Sequence, residues 1–141
     1  MAAHTFVILF LLTALTNVLG RVTYSDEIEN FLLEMRAKCK AESGASDESI
    51  LSSLNGGKMA EDEAYKCYLW CTLYSLGKMT EDNKEVDVEG SVAKLPQDLV
   101  DAGVPKIIRA CGTQKGATDC ETGFLTLQCY QQADPDIFIT I

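Results

Sequence analysis

Residues Cys67–Cys71 read CYLWC, two cysteines about one helical turn apart that enclose three bulky side chains. Such a pair can be a redox couple, half of a metal site, or two halves of two different disulfides. A redox couple normally has two intervening residues, and a zinc site needs further cysteine or histidine ligands at suitable spacing. The only histidine of the chain is His4, near the N-terminus. CYLWC therefore favours structural disulfides.

The first twenty residues predict a secretory signal peptide that is cleaved after Gly20. Thr5–Leu19 is an uncharged apolar run, and as a helix it would rise about 22 Å, too little for a hydrocarbon core of about 30 Å. Because residues 1–4 lack Lys and Arg, a retained membrane anchor is the alternative. No later segment is apolar enough for stable membrane insertion. The prediction makes residues 21–141 a single secreted domain in a compartment where disulfides form.

The mature chain keeps all 12 basic and all 21 acidic residues, so its formal charge stays at −9. It offers no basic face to phosphates, which argues against nucleic acid as a partner. Removal of His4 leaves no histidine for a catalytic dyad or triad. We therefore expect no enzyme activity, no cofactor and no metal. A secreted helical lipase-like enzyme, the rival reading, would need the histidine that is missing.

Hydrophobic periodicity predicts an all-α fold of about six helices. The first contains Ile28, Phe31, Leu32 and Met35 at three- and four-residue steps, with Ser25 as its N-cap. The last begins at a capping box, 118–121, and continues through an internal glycine, Gly123. The acidic segment 80–89 is expected to be a loop. The predicted helices cover 23–41, 47–54, 61–76, 91–95, 105–111 and 118–132.

A helical wheel of residues 61–78 separates three faces. Cys67 and Cys71 share one face, and Trp70 lies on another. The third face is a strongly apolar stripe, and from periodicity alone it is core. The stripe consists of Tyr65, Leu69, Thr72, Leu73 and Leu76.

Six cysteines allow fifteen disulfide pairings. Cβ atoms at positions i and i+4 of one helix lie about 5–6 Å apart, whereas a disulfide needs about 3.5–4.5 Å, so Cys67 and Cys71 should not bond to each other. Cys120 and Cys129, on the last predicted helix, are separated by about 13 Å. Each excluded pair occurs in three of the fifteen pairings and one pairing contains both, which leaves ten.

The cysteine spacing resembles that of the insect odorant-binding proteins, the pheromone- and general-odorant-binding family. Gaps of 27, 3, 39, 8 and 8 residues separate the six cysteines, and the match covers the whole mature chain. The family-like runs VAKLP, Val92–Pro96, and IIRAC, Ile107–Cys111, accompany it. The resemblance implies helices around one apolar cavity and three interlocked disulfides. The implied pairs are Cys39–Cys71, Cys67–Cys120 and Cys111–Cys129, one of the ten pairings left open.

The resemblance also implies a function: a secreted carrier of small hydrophobic molecules, such as volatile odorants, pheromones or lipid-like compounds. The alternative is a non-sensory protein of glands, venom, seminal fluid or defence that sequesters lipids or peptides on the same scaffold. If the protein is a carrier of odorants or pheromones, a chemosensory receptor is a further expected partner. The sequence also allows a homodimer that forms through Trp70.

The resemblance also implies which residues line the cavity, from their positions relative to the cysteines. The hydroxyls of Tyr65, Thr72 and Tyr130 are the expected polar contacts with a ligand. The apolar C-terminal tail, residues 134–141, ends in the run 137–141, which is expected to fold over the cavity as a lid, with a disordered end as the alternative. The implied ligand-binding residues are Leu32, Met35, Tyr65, Leu69, Thr72, Leu73, Leu76, Val92, Leu95, Ile108, Phe124, Leu127, Tyr130 and Phe138.

Overall fold

A computed structural model describes residues 24–54, 57–77 and 79–135. The predicted signal peptide and the predicted lid, including Phe138, lie outside these residues. The described residues form seven α-helices and no strand. In chain order the helices are α1 (Asp26–Ser43), α2 (Asp47–Leu54), α3 (Glu63–Leu76), α4 (Val88–Ala93), α5 (Gln97–Asp101), α6 (Val104–Cys111) and α7 (Asp119–Ala133). The all-α prediction is confirmed.

Helix ends follow the capping chemistry of the sequence. The Thr118 hydroxyl accepts a hydrogen bond from the N–H of Glu121 at 3.1 Å, and the Glu121 carboxylate turns back to accept the N–H of Ala117. Asp62 caps α3 by accepting the N–H of Tyr65 at 2.9 Å. Ser25 holds the N-cap position of α1 as predicted, although its side chain makes no capping hydrogen bond.

The structure departs from the predicted elements between residues 86 and 101. Helix α4 begins at Val88, three residues before the predicted start, because the Asp87 carboxylate caps it by accepting the N–H of Gly90 at 2.9 Å. The end of the acidic segment is therefore helix and not loop. Helix α5 was not predicted, since five residues are too few to show periodicity. Pro96 at its N-cap position starts it.

All three disulfides have the pairing implied by the family resemblance. Cys39–Cys71 joins α1 to α3, with Cα atoms 5.5 Å apart. Cys67–Cys120 joins α3 to α7. Cys111–Cys129 joins α6 to α7. Cys67 and Cys71 thus belong to two different bonds.

Gly123, the glycine inside the last predicted helix, permits the closest contact between α3 and α7. A Cβ atom at this position would lie 2.5 Å from the Cα and 2.6 Å from the backbone nitrogen of Trp70. Only a residue without a side chain lets the two backbones approach this far. The adjacent Cys67–Cys120 bond fixes the same helix pair covalently.

The buried side chains form two hydrophobic clusters. The larger one, here called the main core, consists chiefly of residues from α1, α3 and α7, with Tyr65, Leu127 and Cys39 almost fully buried. The smaller one, here called the α6 cluster, is centred on Val104 and Ile108 and is covered by residues of α4 and α5. A cavity lies between the two clusters. None of the helices in the described ranges is long and apolar enough to cross a bilayer.

Candidate ligand-binding site

A cavity of about 690 Å³ opens between the first turns of α1, the end of α3, the segment α4–α6 and the last turns of α7. Its volume falls within the range of about 300–1,000 Å³ that is typical of small-molecule pockets. Its wall is mostly apolar. The aliphatic side chains of the wall are Ile28, Leu32, Leu73, Leu76, Val86, Leu95, Leu99, Val104, Ile108 and Leu127.

Exposed residues mark the open side of the cavity. Phe31 is 49% exposed and lines the opening together with polar residues. The polar residues of this rim are Ser25, Glu27, Lys94, Gln97 and Asp98. A ligand would therefore meet charge and water at the rim and hydrocarbon farther in.

Half of the fourteen predicted ligand-binding residues line this cavity. They are Leu32, Leu73, Leu76, Leu95, Ile108, Leu127 and Tyr130. Contact between these seven and a ligand stays a prediction. Phe138 lies outside the described residues.

The other six predicted residues lie away from the cavity wall. Met35, Tyr65, Leu69 and Phe124 are buried in the main core, and Val92 packs against the α6 cluster. The buried Thr72 hydroxyl donates to the carbonyl of Tyr68 at 3.0 Å, inside α3. Contact between these six residues and a ligand also stays a prediction. For Tyr65, Leu69 and Thr72 the position away from the wall follows from the course of α3, which packs between α1 and α7 and borders the cavity only with its last turn.

Sequence reasoning missed several parts of the wall, among them Val86 before α4 and Val104 at the start of α6. Tyr24, Ile28 and Phe31 border the cavity from the start of α1, and Pro96–Leu99 border it around α5. The apolar stripe of the first helix already contained Ile28 and Phe31. No comparable signal marked α5.

The wall contains one phenol without a partner. Tyr130 is partly buried, and no described residue forms a hydrogen bond with its hydroxyl. Burial raises the pKa of Tyr130 to about 12, so the group is a neutral O–H donor throughout the physiological pH range.

Tyr65, the other predicted phenol, is fully buried in the main core. The Tyr65 hydroxyl forms no hydrogen bond of good geometry, and the neighbouring Ser53 hydroxyl donates to the carbonyl of Ile50 at 2.9 Å. Burial raises the pKa of Tyr65 to about 12, and Ser53 offsets only part of that effect. This phenol is not part of the cavity wall.

Polar contacts hold the α4–α6 side of the cavity in place. Arg109 on α6 donates two hydrogen bonds to Glu89 on α4, at 2.8 and 2.9 Å. The Arg109 guanidinium lowers the pKa of the Glu89 carboxyl. The Val86 N–H donates to the Thr113 hydroxyl at 2.8 Å, which ties the segment before α4 to the loop after α6.

Comparisons with known proteins agree with this architecture. Residues 22–133 match the PBP/GOBP family. The general odorant-binding protein 69a of Drosophila melanogaster is 29% identical over 97 residues, which make up 69% of this chain and 64% of that protein, less than two thirds of its length. Among solved structures, a medfly odorant-binding protein, numbered 22 or 69a, is 31% identical with a TM-score of 0.65, over 75% of this chain and 90% of that one.

A second solved structure has a higher TM-score at lower identity. Odorant-binding protein 7 of Anopheles gambiae, determined with four disulfide bridges and in complex with an azo compound, gives a TM-score of 0.70 at 25% identity. The likeness covers 84% of this chain and 94% of the mosquito protein. Together with the match over residues 22–133, these likenesses place the chain: it belongs to the PBP/GOBP family, a family of non-enzymatic proteins that bind small ligands.

Proposed function

We propose that this protein is a secreted carrier that binds small hydrophobic molecules in its cavity and transports them through the extracellular fluid around chemosensory neurons. The observation that carries the proposal is the apolar cavity of about 690 Å³ within a disulfide-bonded helical domain. The proposal includes cleavage after Gly20, so that the mature chain begins at Arg21.

Burial of hydrocarbon supplies the binding energy. Each methylene group that leaves water for the wall contributes about 0.8 kcal/mol, which is about a fourfold gain in affinity. Within a homologous series, affinity should therefore rise with chain length until the cavity is full and then level off. A purely polar ligand finds few partners on this wall and should bind poorly.

The binding experiment uses the hydrophobic fluorescent probe N-phenylnaphthylamine and a variant that fills the cavity. Leu76 is a partly buried leucine of the wall, whereas Leu125 is a partly buried leucine that packs on the main core away from the cavity. Leu76→Trp should weaken probe binding by about tenfold, the equivalent of two lost methylene contacts. Leu125→Trp is the matched control and should leave probe affinity within about twofold of the wild type. Equal affinities in all three forms would place the probe outside the cavity.

Transport and tissue are tested separately from binding. N-terminal sequencing of protein recovered from the medium of a eukaryotic host should begin at Arg21, and intracellular retention would contradict secretion. Staining in antennae is the result expected of a chemosensory carrier. Staining confined to glands would favour sequestration of lipids or peptides in a non-sensory secretion.

A further inference from the structure

The phenol of Tyr130, which has no hydrogen-bond partner among the described residues, lies at the boundary between the two hydrophobic clusters. Tyr130 packs against both the main core and the α6 cluster, and it also lines the cavity. The neighbouring wall residues Leu127 and Ile108 are buried and apolar. The hydroxyl is thus a single polar atom on a hydrocarbon surface.

The other polar groups of the wall do not share this situation. Tyr24 and Ser91 already have partners. The remaining polar residues belong to the exposed rim, where water can solvate them. Tyr130 is therefore the polar group of the wall whose pairing depends most on what fills the cavity.

We propose that Tyr130 selects the ligand class: an otherwise apolar molecule with one hydrogen-bond-accepting oxygen, such as a ketone, aldehyde, ester or alcohol. The inference rests on the proposed function, because it assigns a chemistry to the same cavity. A pure hydrocarbon that displaced water from the cavity would leave the phenol buried and unpaired, which costs free energy. A ligand oxygen within reach of the hydroxyl removes that cost and fixes the orientation of the molecule.

The same reasoning argues against a ligand whose charged carboxylate lies at Tyr130. Burial of a carboxylate needs a cation beside it. The lysine of the wall, Lys94, is exposed at the rim. The raised pKa of Tyr130 keeps the phenol protonated, so that it donates to a neutral carbonyl or ether oxygen over the whole physiological range.

The test compares two ligands of nearly equal shape, valerophenone and pentylbenzene, which differ by one carbonyl group in place of a methylene. Each displaces N-phenylnaphthylamine from the wild type, from Tyr130→Phe and from Tyr65→Phe. Tyr65→Phe is the matched control, because it removes an unpaired phenol that does not border the cavity. For each ligand, the ratio of variant to wild-type affinity cancels the different solubilities of the two compounds.

Tyr130→Phe should weaken valerophenone about three- to tenfold and should leave pentylbenzene unchanged or bound more tightly. Tyr65→Phe should change neither affinity. An equal effect of Tyr130→Phe on both ligands, or no effect on either, would overturn the inference while the carrier function stands. If neither the probe nor either ligand binds to any form, the proposed function fails and the inference fails with it.

A second measurement needs no variant. The carbonyl stretch of valerophenone bound to the wild type should lie at lower frequency than in hexane, as a hydrogen-bonded ketone requires. A bound ketone with the hexane frequency would show that its oxygen has no donor and would overturn the assignment of Tyr130.

Discussion

At the scale of single residues, two phenols without a hydrogen-bond partner among the described residues are in opposite situations. Tyr65 is enclosed by the main core and cannot find a partner, whereas Tyr130 borders a cavity that a ligand can fill. Tyr65 also stacks near Tyr68, with ring centroids 6.0 Å apart. Its contribution to stability therefore comes from the ring and not from the hydroxyl.

Replacement of Tyr65 by Phe should preserve stability or improve it. The change keeps the ring and removes a buried polar atom that is unsatisfied in the folded state, so the free energy of unfolding should rise by up to about 1 kcal/mol. Denaturant unfolding of the oxidised protein measures the change. Tyr74→Phe, at a half-exposed site on the same helix, is the control and should have little effect. A loss of more than about 1 kcal/mol in Tyr65→Phe would mean that its hydroxyl has a strong partner.

The raised pKa values of Tyr65, Tyr68 and Tyr130 indicate how the free energy of unfolding should change at alkaline pH. The pKa values of Tyr65 and Tyr130 are raised to about 12 by burial, and that of Tyr68 is also raised, mainly by burial. An unfolded tyrosine ionises near pH 10, so the unfolded state loses protons first. The contribution of these groups is fully present below about pH 10 and is lost as the pH rises through about 12.

Ultraviolet titration of phenolate absorbance measures this directly. Part of the absorbance change of the five tyrosines should be delayed beyond pH 10 and should appear together with unfolding. Tyr130→Phe should remove one late-titrating group. A single reversible step near pH 10 for all five tyrosines would contradict the burial of these rings.

At the scale of elements, the pair α3 and α7 organises the fold. The two helices run side by side, held by the Cys67–Cys120 bond and by the close approach of Gly123 to the backbone of Trp70. This arrangement buries the middle of α3 and leaves its last turn beside the cavity. Trp70 is partly buried, with its ring 6.5 Å from that of Tyr74, and is not part of the cavity wall.

Gly123→Ala should destabilise the protein although alanine favours a helix by about 1 kcal/mol. The new Cβ would lie 2.5–2.9 Å from backbone and Cβ atoms of Trp70, so the helices must separate. We expect a net loss of about 2 kcal/mol in the free energy of unfolding. Gln132→Ala, at an exposed position of α7, should change it by less than about 0.5 kcal/mol. A Gly123→Ala protein as stable as the wild type would contradict the close packing of α3 and α7.

Removal of two of the disulfides, one at a time, should affect stability and ligand binding to different degrees. The Cys67–Cys120 bond closes a sequence separation of 53 and the Cys111–Cys129 bond one of 18, so chain entropy assigns them about 4 and about 3 kcal/mol. Double replacement of Cys67 and Cys120 by alanine should therefore lower the free energy of unfolding more than double replacement of Cys111 and Cys129. Double replacement of Cys111 and Cys129 should weaken probe binding more, because that bond ties α6 to the cavity end of α7. If one double variant has the larger loss in both measurements, this division of roles is wrong.

At the scale of the whole molecule, the sequence predicts the disulfide pairing better than the residues of the cavity wall. Helical geometry left ten disulfide pairings, and only the family spacing selected the one that the structure contains. Only half of the fourteen predicted residues line the cavity, because core and wall have the same composition. Leu69 and Leu73 look alike on a helical wheel, but only Leu73 borders the cavity, and this depends on where α7 and α5 lie. Helix α5 is too short for periodicity, and its part of the wall could not be predicted.

The most direct test of the account is a crystal structure of the oxidised protein saturated with valerophenone. The account predicts ligand density inside the cavity, against Leu73, Ile108 and Leu127, with the carbonyl oxygen within hydrogen-bonding distance of the Tyr130 hydroxyl. Density on the outer surface beside Trp70 and Tyr74, with none between the two hydrophobic clusters, would contradict it.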